Sequence, residues 1–145
     1  MRLRFQSGGA ESPAQPGRLP HKGLVLIMIT LAVALFEACS GRSRMAQAAE
    51  ITGGNPHAGK NKIAYYGCGS CHTIKGIAGA AGLVGPPLDN ISKRVYLGGV
   101  LTNTPNNMAL WIRNPKKFDE NTAMPVLFVS EQDARDITAY LYSLK

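Results

Sequence analysis

Cys68-Gly69-Ser70-Cys71-His72 sets two thiols with two residues between them and an imidazole directly after the second. This is the C-x-x-C-H pattern of covalent c-type haem attachment. The two thiols add across the two vinyl groups of the porphyrin, and two intervening residues hold them about one helical turn apart, as the vinyl spacing requires. His72 then lies against the macrocycle, where its imidazole can bind the iron as the proximal ligand. A zinc site would need two more ligands, and the remaining cysteine, Cys39, lies far upstream in an apolar stretch. A thioredoxin-like redox pair would need a βαβ setting, which the flanking sequence does not offer.

Working outward, the 145 residues divide into a leader and one small domain. Arg2, Arg4, Arg18 and Lys22 precede an apolar run over residues 24–36, and Ala46-Gln47-Ala48 follows as a small-x-small cleavage signal. The order is that of a secretory signal, and the run is short for a membrane span of about 20 apolar residues. The expected division is therefore residues 1–48 as signal or membrane anchor with a flexible extension, and 49–145 as the haem domain. Two other fates stay open: lipidation at Cys39, and retention of residues 24–36 as a membrane anchor. In all three the haem domain is exported to the periplasmic side, where haem attachment takes place in bacteria. The leader holds six of the 16 basic and two of the nine acidic residues, so the formal charge of +7 falls to +3 for the domain. The basic balance therefore gives no argument for a nucleic-acid partner.

Four helical segments separated by Gly- and Pro-rich loops are expected after residue 48. Asn55-Pro56 and Thr104-Pro105 each place a capping side chain before proline at the first helical position, opening helices that run to about Tyr66 and Asn114. Ser130-Glu131-Gln132-Asp133 opens the last helix, in which Ile137, Tyr140, Leu141 and Leu144 recur on one face. A shorter segment is expected around Asn90–Leu97, and no strand alternation or hairpin signal stands out. The fold class is all-α, with loops wrapped round one covalent haem. The second axial position falls to a methionine. Met124 lies in a loop stiffened by Pro125, whereas Met108 falls in the apolar stripe of the third helix, where methionine usually fills core; His57 precedes the haem motif.

With these residues placed, the chain from about Gly54 onward resembles a class I (monohaem) bacterial cytochrome c domain. Gly59-Lys60 with Ile63 looks like the family's N-terminal helix, whose glycine allows close contact with the C-terminal helix, where Tyr140 and Leu141 sit here. Gly85-Pro86-Pro87-Leu88 matches the family's Gly-Pro-x-Leu loop. The resemblance implies that the Pro86 carbonyl accepts the Nδ1 proton of His72 and that Leu88 lines the haem pocket. It further implies that Arg94 lies near a haem propionate and that Trp111 packs beside the haem. The pattern from Ser92 to Met124-Pro125 looks most like cytochrome c modules associated with terminal oxidases. The function so implied is periplasmic electron carriage, with no catalysis, through a six-coordinate haem c held by His72 and Met124. Its partners would be a quinol-oxidising complex or dehydrogenase as donor and a terminal oxidase as acceptor. The alternatives are a non-diffusing cytochrome subunit of a respiratory or dehydrogenase complex, and a peroxidase or gas sensor with an open haem face.

Overall fold

A computed structural model of the chain describes residues 44–144. The apolar run 24–36 and Cys39 lie outside the described residues, and no described helix is long and apolar enough to cross a membrane.

Four α-helices carry the described residues: α1 over 44–52, α2 Pro56–Tyr65, α3 Pro105–Arg113 and α4 Glu131–Ser143. Their starts follow from the caps. Asn55 Oδ1 accepts the backbone N–H groups of His57 and Ala58 at 2.9 and 3.2 Å, with Pro56 at the first position. Thr104 Oγ1 accepts Asn107 N–H at 3.1 Å, and Ser130 Oγ accepts Asp133 N–H at 3.1 Å. Each bond satisfies a donor that the first helical turn leaves without a partner. Asn114-Pro115 stops α3, and the Asn114 side chain then caps a 3₁₀ turn over Pro115–Lys117.

The central packing is α2 along α4, with α3 on another side of α4. It depends on backbone approaching backbone. A Cβ built on Gly59 would fall inside the Asp136 carbonyl group and 2.9 Å from Ile137 N, so no side chain fits there. The close contact expected between this glycine and α4 is present, one turn before Tyr140 and Leu141. Asp136, only 6% exposed, secures the crossing. Its Oδ1 accepts Asn55 N–H at 2.8 Å and Gln132 Nε2 at 2.9 Å, so a buried carboxylate on α4 joins the cap of α2. Buried acceptors of this kind must be satisfied, and this one is. Ile63 and Ile137 fill the space beside it at 0% and 2% exposure.

Two features depart from the sequence expectations. The segment expected to be helical around Asn90–Leu97 is a single 3₁₀ turn, Ile91–Lys93, opened by Asn90 in the left-handed region. Beyond it lies a two-stranded antiparallel hairpin, β1 Tyr96–Leu97 with β2 Leu101–Thr102. Gly98 at φ 55° and Gly99 at φ 79° turn the chain between them. Two paired residues are too few to show alternation, so only the Gly-Gly could have signalled the hairpin. The other is α1, a helix not expected from the sequence, which includes Ala46-Gln47-Ala48. Ala48 is 2% exposed and belongs to the main core cluster, against which Met45 also packs.

Candidate haem site

α2 ends where the site begins. Gly67 takes φ 70° immediately after the helix, a conformation that costs glycine little. The chain then tightens into the 3₁₀ turn Cys68–Ser70, with His72 N–H donating to Cys68 O at 3.0 Å. Both thiols are free and half-buried, and burial pushes the Cys68 thiol up. Cys68, Cys71 and His72 share one wall of a cavity of about 390 Å³ whose lining is mainly apolar.

The Gly85–Leu88 loop is laid across the His72 ring. His72 Nδ1 lies 2.7 Å from Pro86 O, and a carbonyl can only accept, so Nδ1 carries the proton and, in the neutral ring, Nε2 is the nitrogen left to bind a metal. This hydrogen bond orients the ring and raises its basicity as a ligand. Gly85 permits the approach, because a Cβ there would sit 2.6 Å from His72 Nδ1 and 2.9 Å from Nε2. Cys71 O accepts Gly85 N–H at 2.8 Å and Thr73 O accepts Leu88 N–H at 2.9 Å, which ties the loop to the haem motif at both ends.

The remaining residues singled out in the sequence line the same cavity. Pro86, Leu88, Arg94, Trp111 and Met124 are all in its wall, and so is Met108. Met108 is 3% exposed and embedded in α3, whereas Met124 is half-buried in the loop before α4. His57 is exposed at the start of α2 and takes no part in the cavity wall. Arg94 Nη2 donates to Pro87 O, so the cation lies beside the loop that holds His72. Trp111 packs over Gly98, where a Cβ would run into the indole ring, and its ring centroid lies 6.4 Å from that of Phe118.

Sequence reasoning gave no role to three supporting side chains. Asn103 Nδ2 donates to Ile91 O and Arg94 O, each at 2.8 Å, while its Oδ1 accepts from Tyr142 Oη at 2.8 Å. Burial pushes the Tyr142 phenol up to about 12, so it stays a donor. One amide thus fixes the turn carrying Arg94 to α4. Nothing in the spacing of Asn103 could have shown this, because its partners are backbone carbonyls brought near by the hairpin.

Tyr66, the third, lines the cavity and donates to Asp133 Oδ2 at 2.8 Å, while Lys62 Nζ lies 3.1 Å from Asp133 Oδ1. The Tyr66 hydrogen bond, followed by Lys62, holds the Asp133 carboxyl below its usual range. A depressed carboxylate stabilises the fold above its unfolded value of about 3.9 and loses that contribution as pH falls through the folded value. Tyr66→Phe is expected to cost under about 1 kcal/mol at pH 7, given the solvent near the pair. In acid, once Asp133 is protonated in the folded state as well, the gap from the parent should close. Urea denaturation of both proteins at neutral and at acid pH checks it; a gap that persists in acid would locate the effect elsewhere.

The donor set therefore fits haem c. Two free thiols and an oriented imidazole share one wall, and a mainly apolar cavity of matching character lies in front of them. Comparison with known proteins agrees. The Cytochrome c family matches residues 57–145. Cytochrome c oxidase subunit 2 of Alkalihalophilus pseudofirmus is 37% identical over 79 residues, which are 54% of this chain and 22% of that protein. The chain thus spans less than a quarter of that relative's length. No solved structure matches. The motif, the oriented histidine, the helical fold and the match over residues 57–145 lead to one conclusion: the chain belongs to the cytochrome c family, whose members hold haem c covalently and transfer electrons.

Proposed function

We propose that the protein is an exported, periplasmic electron carrier whose haem iron is held by His72 Nε2 and Met124 sulfur. One observation carries this reading: the imidazole oriented by Pro86 and the thioether of Met124 belong to separate loops yet line one apolar cavity. Bound there, haem c supplies a single-electron couple between ferrous and ferric iron. The protein's own groups do the rest. Pro86 keeps the lone pair of Nε2 available, Leu88, Ile91, Leu97 and Leu141 keep water from the cavity, and Arg94 places a cation beside the proximal loop. With His72 and Met124 both as ligands, no position at the iron would remain for a substrate, and the protein would act as a carrier rather than an enzyme. The oxidase subunit among its relatives supports a terminal oxidase as electron acceptor, with a quinol-oxidising complex or dehydrogenase as donor.

A second reading, a cytochrome held within a respiratory complex, draws on the same relative and on α1. Cleavage after Ala48 would remove the buried Ala48 and the Met45 that packs against the core. Lipidation at Cys39, or retention of the run 24–36 without cleavage, would keep both and tie the domain to the membrane.

One preparation tests these points. The full-length gene is expressed with haem-maturation machinery, and the native holoprotein is titrated reductively and weighed intact. The expected result is a reversible one-electron transition and no carbon monoxide binding by the ferrous form; a mass that retains residues 44–48 would favour the membrane-tied cytochrome. Ready carbon monoxide binding would favour a sensor or peroxidase. A mass beginning at residue 49 would fit cleavage after Ala48 and a freely diffusing domain.

A further inference from the structure

We propose that Lys116 is a positioning residue for Met124, an inference that rests on the axial-ligand reading given above. Its ammonium reaches out of the Pro115–Lys117 turn and donates to Glu120 O at 2.9 Å and to Thr122 O at 2.7 Å. Met124 follows two residues later, and Thr122 Oγ1 accepts Met124 N–H at 3.3 Å. One cation therefore gathers the two carbonyls that shape the approach to the methionine. Residues 118–129 contain no helix or strand, so no regular hydrogen bonding fixes the loop. Its other bonds are short-range: Asn121 N–H to Asp119 Oδ1, Thr122 N–H to Asp119 O, and the N–H groups of Phe118 and Asp119 to Pro115 O.

The alternative is a solvated surface lysine available for partner docking. One contrast weighs against it. Lys117 beside it bonds through its backbone N–H alone, to Asn114, which shows what a merely solvated lysine looks like on this turn. An exposed ammonium bound to one carbonyl gains little over water. Bound to two carbonyls of one loop, it fixes their separation, and release of the methionine must then break both bonds.

External ligand binding reads this directly. Imidazole binds the ferric iron only when Met124 has left it, so its apparent affinity rises with the fraction of released loop. Lys116→Met is expected to tighten imidazole binding about tenfold, as for loss of two charge-assisted bonds discounted for exposure. Lys117→Met removes the same charge and should stay within about twofold of the parent, while Lys116→Arg, which keeps forked donors, should fall between the two. Equal tightening in both methionine variants would reduce the effect to net charge and overturn the proposal, as would a Lys116→Met protein that binds like the parent. The parent's ferric spectrum is recorded first. If its weak long-wavelength sulfur-to-iron band is missing, the ligand reading itself fails, independently of the variants.

Discussion

Gly59→Ala is expected to destabilise the holoprotein by more than about 3 kcal/mol, out of the roughly 5–15 kcal/mol available to a domain of this size. The added methyl has no pocket to enter. It would overlap the Asp136 carbonyl and come 2.9 Å from Ile137 N, both on the backbone of α4, which cannot rotate away as a side chain would. The two helices must move apart, and the movement also pulls Asn55 N–H from Asp136 Oδ1, leaving a buried carboxylate short of a donor. Gly53 provides the comparison. It sits at φ 67° with nothing within 4 Å of a built Cβ, so Gly53→Ala carries only the left-handed strain of about 1–2 kcal/mol. Denaturant midpoints of the two variants should separate clearly. Equal midpoints would mean that the α2–α4 crossing yields more easily than its geometry implies.

Met124→Ala is expected to abolish the sulfur-to-iron band and to lower the reduction potential by on the order of 0.2 V, within the roughly 0.8 V that axial ligands span. A thioether favours ferrous iron, so its loss favours the ferric form, and the sign follows. The ferrous variant should also bind carbon monoxide, because a methyl group cannot reach the metal. Met108→Ala gives the contrast. Met108 is 3% exposed in the α3 core, so its truncation is expected to cost about 2–5 kcal/mol of stability while leaving the band in place. Should the two variants exchange phenotypes, the axial ligand is Met108 and the Met124 loop is only a cover.

The helices and the haem motif were legible because their signals are local. Asn55-Pro56, Thr104-Pro105 and Ser130 announce helix starts through side chains that bond within a few residues, and each helix begins where its cap stands. Cys68 to His72 is likewise a contiguous pattern. The link from Pro86 to His72 was legible only through resemblance, since a carbonyl acceptor leaves no mark on residue identity. The hairpin was lost because two residues per strand carry no period, and the turn at Ile91–Lys93 was overextended into it. Helix α1 was lost for a different reason: small residues followed by a cleavage-like triplet suit a leader as well as an amphipathic helix. Burial of Ala48 becomes visible only in three dimensions. Asn103, Tyr66 and Lys116 act through partners that chain folding brings close, so no window of sequence contains them.

The bond between Asn55 N–H and Asp136 Oδ1 spans 81 positions along the chain. Closing a loop of that length costs about 4 kcal/mol of chain entropy, recovered only when α2 and α4 meet. The partner helix, Glu131–Ser143, lies far downstream of α2 and of the haem motif, so it is synthesised well after them. Before it arrives, α2 has no surface to bury Ile63 against, and the wall supplied by Ile137 and Leu141 is missing. The cysteines therefore emerge well ahead of the helix that completes the crevice. Synthesis order and topology together leave an interval in which the two thiols are accessible while the wall that α4 supplies is still open.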